Sequence, residues 1–376
     1  MSKIAMGIAF GGKPMEFLTV LVLALAFSNS LGSTTPGLHN QANHPFNYVV
    51  VIVMENQGFG DVINNPSAPF MNQLASSYAL ATNYTAVNHP SLPNYLSLVS
   101  GQDFASWSKA DCNPSPGCGA GNASNIVDSL ENRGLSWKAY MEDYPSNCGS
   151  YCSPGNCFLG DTGTGQYAAR HDPFVYFDDI VNSTARCSRI VPANSGGRGG
   201  PDDLFLSDLA SPSTSSNFMW LTPNLCNDIH DCPISTGDTY LSKVVPNILN
   251  SSLFTHQKAA LFITFDEGNG YCPINGSSLD CVYSVWAGPV VKTNFQSTNQ
   301  YNHYSFLKTL ETVWKLPPLT SNDSNATPMT EFFAHPSHGG HGEHEQLGDE
   351  HGKANFEDHQ HHDYHGVCNL CQRFSD

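Results

Sequence analysis

Apolar and polar positions alternate along this chain in blocks that read as strands and helices of one layered fold. Tyr48 to Met54 is a continuous β-branched run, V-V-V-I-V inside it, the pattern of a strand buried on both faces of a parallel sheet. It stops at Glu55-Asn56. Pro66 to Tyr78 carries Phe70, Met71, Leu74 and Tyr78 at helical spacing. Ser91 to Ser100 predicts a second helix: Ser91 stands where an N-cap would, Pro93 lies in the first turn, Leu92, Tyr95, Leu96 and Val99 form a stripe, and Gly101 follows. Phe218 to Thr222, Ala259 to Phe265 and Val282 to Ala287 are further strand candidates. Tyr304 to Leu316 repeats the helical spacing and is closed by Pro317-Pro318. Strand followed by helix, repeated, predicts an α/β fold with a mainly parallel sheet flanked by helices.

The stretch from residue 103 to 215 differs in texture. It is cysteine-rich, carries S-G-G-R-G-G from Ser195, and has few long apolar runs. It reads as disulfide-held insertions above the carboxyl ends of the strands.

The 376 residues are 40% hydrophobic and 13% charged, which excludes a disordered or collagen-like chain. A formal net charge of -17 makes a surface tracking a phosphate backbone a poor expectation, so nucleic acid is set aside as a partner. The ends have their own character. Lys3 and Lys13 precede an apolar run from Phe17 to Phe27, then Ser28, Ser30 and Gly32, the layout of a secretory signal peptide over residues 1–32. The run is short for a membrane span, so no stable membrane insertion is expected after its removal. Residues 335–376 hold nine of the sixteen histidines and read as a disordered tail with a loose affinity for transition metals.

Twelve cysteines, an even number, fit disulfides in an oxidising compartment. Cys112/Cys118, Cys226/Cys232 and Cys272/Cys281 are the local pairs that spacing permits, and spacing alone leaves the connectivity open. A thiolate zinc site would need more than the single C-x-x-C of Cys368 and Cys371. Seven N-x-S/T sequons, at Asn83, Asn122, Asn182, Asn250, Asn275, Asn322 and Asn325, agree with an exported, N-glycosylated protein, extracellular or in a cell wall or vacuole.

Three apolar runs each deliver polar residues at their carboxyl end: Glu55-Asn56, then Asp228 with His230 and Asp231, then Asp266-Glu267. In open α/β sheets ligands bind outside these ends, and converging carboxylates call for a divalent cation. Taken singly, each of these residues equally suits a helix cap. Ser91, at a helix N-terminus, is the candidate nucleophile, with Asn94 one turn on. His89, His171, His230 and His303 each sit at a loop or helix start. No G-x-S-x-G elbow supports a serine-hydrolase triad.

Seven ordered blocks carry a resemblance: M-E-N-Q-G-F from Met54, N-H-P-S-L-P-N-Y-L from Asn88, K-A-Y-M-E from Lys138, R-H-D-P-F-V-Y-F from Arg170, P-N-L-C-N-D-I-H-D-C from Pro223, F-I-T-F-D-E-G from Phe262 and Y-N-H-Y-S-F-L-K-T-L-E from Tyr301. Over residues 47–316 the chain resembles the phosphoesterase family of secreted acid phosphatases and bacterial phospholipases C, within the alkaline-phosphatase-like superfamily. The resemblance implies that residues 33–334 form the phosphoesterase domain. It also implies that Glu55, Asn56, Ser91, Asp266 and Glu267 hold a divalent metal, with Ser91 as nucleophile. Asn94, His171, Asp228, His230 and His303 then line the pocket, with His230 or His303 the proton donor. The core ends near residue 320, which favours the compact acid-phosphatase branch acting on small phosphate monoesters. A phospholipase C or other phosphodiesterase is the alternative on the same scaffold. A secreted metal-binding protein acting through its His-rich tail is the alternative of another kind.

Overall fold

The computed structural model describes residues 44–334 except 165, 197–199, 270–271 and 273–279. The signal-peptide segment, the His-rich tail, Asn275 and the Cys368/Cys371 pair lie outside the described residues.

Among the described residues there are ten strands in chain order: β1 (Tyr48–Met54), β2 (Ala79–Ala81), β3 (Tyr84–Thr85), β4 (Trp137–Met141), β5 (Ile190–Pro192), β6 (Phe218–Thr222), β7 (Ala259–Phe265), β8 (Ser284–Ala287), β9 (Phe295–Ser297) and β10 (Tyr301–Asn302). Eight form the central sheet in the order β5-β4-β6-β1-β7-β8-β2-β9, and β3 pairs with β10 apart from it. β1 is central because Val49 to Met54 are all fully buried. It runs parallel to β6 on one side and β7 on the other. Only β8 is antiparallel to its neighbours, β7 and β2. The α/β, mainly parallel expectation therefore holds.

The cysteine-rich stretch is not only insertion. It contributes β4 and β5, which extend the sheet in parallel beyond β6. Their brevity and the polar Lys138 in β4 hid them; Lys138 leans out to Asp208 Oδ2 at 2.6 Å. The remainder of the stretch is looped and closed by Cys112–Cys118, Cys148–Cys152 and Cys157–Cys187, while Cys226–Cys232 and Cys272–Cys281 close two later loops. All three local pairs expected from spacing are formed.

The helix expected over Pro66–Tyr78 occupies Pro69–Ser77, because the Asn65 side chain holds the preceding residues in a turn by accepting from Ser67 N at 2.8 Å. Helix Ser91–Ser100 is buried along its whole length and ends on Gly101 at φ 70°. Its N-cap is Pro90, so Ser91 is the first helical residue rather than the cap. Helix His303–Trp314 packs against it, and helix Ile234–Leu249 lies against Pro69–Ser77. Among the described residues no helix is long and apolar enough to cross a membrane.

Candidate active site

Parallel register brings the first carboxylates together. Met54 of β1 is level with Phe265 of β7, so Glu55 and Asp266 leave neighbouring strands side by side. Asp266 N donates to Met54 O at 2.9 Å, and Glu55 N donates to Asp228 O at 2.8 Å, which ties in the loop after β6. Asn56 turns the chain at φ 60°, a left-handed conformation that asparagine tolerates, and its backbone N–H donates to Asp266 Oδ1 at 3.1 Å.

Ser91 joins this group from the first turn of its helix. Its hydroxyl donates to Glu55 Oε2 at 3.0 Å, and it is almost fully buried. Of the first three backbone N–H positions of its helix, Leu92 N is taken by Asp111 Oδ1 at 3.1 Å and Pro93 has none, leaving that of Ser91.

Asn94, expected to line the pocket, has an occupied amide. Its Oδ1 accepts from Val87 N and Asn88 N at 2.9 and 3.0 Å, and its Nδ2 donates to Asn88 O at 2.7 Å and lies 3.4 Å from Glu267 Oε2. It braces the 87–90 loop against the site.

His171, brought in by a short 3₁₀ turn, stands between carboxylates: Nε2 is 3.2 Å from Glu55 Oε1 and Nδ1 is 3.3 Å from Asp228 Oδ2. Tyr95 stacks on its ring, 5.2 Å away and nearly parallel. His230 follows Ile229, whose φ of 86° is strained for a β-branched residue. The turn it makes is clamped by Cys226–Cys232 and by Asp228 Oδ1 accepting from His230 N at 2.7 Å. The His230 ring remains partly exposed, with Nδ1 2.7 Å from Asp231 and Nε2 3.5 Å from Arg170.

His303 lies behind the site. Its Nε2 meets Asp266 O at 2.6 Å, its Nδ1 meets Tyr84 OH at 3.2 Å, and it is fully buried. Burial lowers its pKa to about 4. Both ring nitrogens are engaged and no face opens outward, so the expectation of His303 as a proton donor fails on geometry; it holds Asp266 in place.

Three residues of the site, Arg170, Asp111 and Asp280, were not singled out from sequence. Arg170 pairs through Nε with Asp111 Oδ2 at 3.2 Å. His89 bridges Glu267 Oε2 at 3.0 Å and Asp280 Oδ2 at 2.9 Å. Arg170 adjoins His171 in R-H-D, and that adjacency is the one local signal it offered, whereas His89 is one of the four histidines that stand at a loop or helix start. Asp111 and Asp280 had none.

The electrostatics are those of a place waiting for positive charge. Burial, then the neighbouring Asp266 and Asp228, pushes Glu55 well up, and burial likewise raises Asp228. Asp266 is pushed up to about 7 by burial. Glu267 is pushed up to about 9 by burial and then by Asp266. Asp266 Oδ2 is buried without a hydrogen-bond donor, and Glu55 Oε1 and Asp228 Oδ2, buried too, make no well-formed hydrogen bond and have the His171 nitrogens 3.2 and 3.3 Å away. Glu55, His171 and His230 each offer a ligand atom within 4.8 Å of the others. This carboxylate and imidazole set fits a divalent cation.

The sequence profile of the phosphoesterase family matches residues 61–317. A probable acid phosphatase of Kluyveromyces lactis is 30% identical over 74% of this chain and 60% of its own length. A phosphatidylinositol-3-phosphatase of Mycobacterium tuberculosis is 30% identical over 79% of this chain and 87% of its own. A phosphate-repressible acid phosphatase of Penicillium chrysogenum is 29% identical, and the chain again spans 60% of its length. Among solved structures, murine ectonucleotide pyrophosphatase/phosphodiesterase 5 superposes with a TM-score of 0.51 over 77% of this chain and 100% of that one, at 12% identity, a likeness of fold. A protein of the alkaline phosphatase superfamily from Vibrio parahaemolyticus gives 0.47 over 72% of this chain and 68% of that one, at 12% identity.

Proposed function

The chain belongs to the phosphoesterase family, and we propose that it is a secreted, metal-dependent phosphomonoesterase of acid-phosphatase type that works through a phosphoserine on Ser91. The observation that carries this reading is the Ser91 hydroxyl set on Glu55 amid buried carboxylate oxygens, of which Asp266 Oδ2 has no donor. Glu55, Asn56, Asp266 and Glu267, with Ser91, are the residues that would hold the cation, and Glu55 also has ligand atoms of His171 and His230 within 4.8 Å. When bound, a divalent cation lowers the pKa of a serine hydroxyl and offsets the charge of a phosphoryl group.

The chain's own groups then divide the work. Glu55 orients Ser91 and is the nearest acceptor for its proton. Ser91 Oγ forms a bond to phosphorus as the bond to the ester oxygen breaks. His230, the one site histidine among His171, His230 and His303 that reaches solvent, gives the leaving alkoxide its proton. Water attacking the phosphoserine gives a proton back to His230 as the bond from phosphorus to Ser91 Oγ breaks, Oγ recovers its proton from Glu55, and phosphate leaves. Arg170, beside His230, keeps N–H groups free of Asp111 to pair with a phosphoryl oxygen. Asp228 and His171 hold this arrangement from behind, and Asn94 and His303 position Glu267 and Asp266.

Residues 33–334 are the catalytic unit in this reading, preceded by a leader and followed by a tail. The five disulfides among the described residues and the exposed sequon asparagines Asn122, Asn182, Asn250, Asn322 and Asn325 suit an extracellular, glycosylated protein. The mycobacterial relative's name favours a second reading, in which the monoester is carried on a lipid headgroup.

The test is hydrolysis of an aryl phosphate monoester and the matching diester by the full chain, with chelator and after metal is restored. Monoester turnover that disappears with chelator and returns with metal supports the proposal. Turnover of the diester alone selects the phosphodiesterase alternative.

A further inference from the structure

A second group of buried carboxylates lies outside the site just described. Glu142 follows the last residue of β4, and Asp202 precedes helix Asp203–Asp208. Both line a cavity of about 600 Å³ together with Asn227, Thr236, Tyr240 and Lys243. Glu142 is 1% exposed and Asp202 4%. Glu142 accepts from Asn224 N at 2.9 Å and from Asn227 Nδ2 at 2.8 and 2.9 Å. Tyr240 donates to Asp202 Oδ2 at 2.7 Å, while Asp202 Oδ1 is buried with no hydrogen-bond partner.

No lysine or arginine among the described residues forms an ion pair with either carboxylate. Lys243, on the cavity wall, is exposed. Burial, then Asp202, pushes Glu142 up to about 8, and burial pushes Asp202 up to about 6. Two neighbouring buried carboxylates, one with an orphaned oxygen, favour a cation at the cavity wall. Among the described residues, the groups lining the cavity offer oxygen donors and no imidazole or thiolate, which selects a hard ion.

We infer that Glu142 and Asp202 bind a hard divalent cation of the calcium class, separate from the catalytic centre. Its role follows from what Glu142 already holds. The same carboxylate anchors Asn224 and Asn227, and the loop they begin carries Asp228 and His230. A cation here braces that loop from the far side.

Terbium is the probe, because excitation of Tyr240, bonded to Asp202, sensitises an ion held beside it. The full chain carrying Glu55→Gln with Asp266→Asn clears the catalytic centre and keeps a saturable signal that calcium displaces. Asp202→Asn or Glu142→Gln in that background weakens the affinity about tenfold or more. Calcium raises the melting temperature of the parent and not of Asp202→Asn. Should those variants fail to fold, Tyr240→Phe keeps both carboxylates, so it lowers the luminescence while retaining the calcium-dependent melting shift. A titration unchanged by Asp202→Asn, a signal abolished by Glu55→Gln with Asp266→Asn, or Tyr240→Phe without effect on luminescence overturns the inference, and protons then fill the role given to the cation.

Discussion

Ser91 donates its hydroxyl to Glu55 across 3.0 Å, although the two are 36 residues apart in sequence. One sits at the end of the central strand and the other on the first turn of a fully buried helix, so neither moves without disturbing the core. That rigidity is what a nucleophile needs, since in-line attack tolerates little misplacement.

Arg170 tests how the phosphoryl group is held. Its guanidinium is fixed by Asp111 and lies 3.5 Å from His230. Arg170→Ala is expected to lower kcat/KM for a monoester about 10- to 100-fold, the worth of a charged hydrogen bond. Arg170→Lys restores the charge without the fork and recovers only part of it. Steady-state kinetics of both variants decide; equal activity of Arg170→Ala and the parent removes Arg170 from the site.

Gly237 tests the strain at Ile229. A Cβ built on Gly237 falls 2.3 Å from Ile229 Cγ1 and 3.0 Å from Asn227 O. In an ordinary helix interior, glycine to alanine stabilises by about 1 kcal/mol. Here Gly237→Ala is expected to destabilise by about 1–3 kcal/mol, because a well-packed side chain must give way. Activity falls with it, since Ile229 sets the turn between Asp228 and His230. Denaturant melts and kcat measured together show both effects; a stabilised, fully active variant contradicts the packing account.

Glu311 predicts a pH dependence away from the candidate active site. It is buried, with Lys308 Nζ 3.6 Å from Oε2, and Asp323 nearby is held by Leu319 N and Thr320 N. Burial, then Asp323, pushes Glu311 up to about 8 from 4.5. The folded chain therefore keeps a proton that the unfolded chain loses between those values. Stability from this group is full below 4.5 and is lost as pH rises through about 8. Glu311→Gln, neutral throughout, is expected to melt like the parent around pH 5 and ~2–4 °C above it at alkaline pH. Parallel melting curves across that range contradict the assignment.

These positions also show what a sequence can disclose. β1 was legible because burial on both faces leaves an unbroken apolar run, and the acidic pairs were legible because they interrupt such runs. β4 was not, since Lys138 breaks its pattern and finds Asp208 only in the fold. Ser91 and Glu55 carried their chemistry in their residue types. Arg170 and Asp111, 59 residues apart, meet only through the packing of looped segments, and no local pattern encodes that. His303 misled because its place at a helix start resembles that of a pocket residue, whereas its ring turns inward to the Asp266 carbonyl.

The most direct test of the central claim is acid quenching during monoester turnover by the full chain, followed by mass spectrometry of the peptide containing Ser91. The account predicts a phosphoryl group on Ser91, a burst of alcohol ahead of phosphate, and loss of both in Ser91→Ala together with a fall in kcat of about 10³-fold or more. Steady turnover with Ser91 unmodified, or an active Ser91→Ala variant, would contradict it.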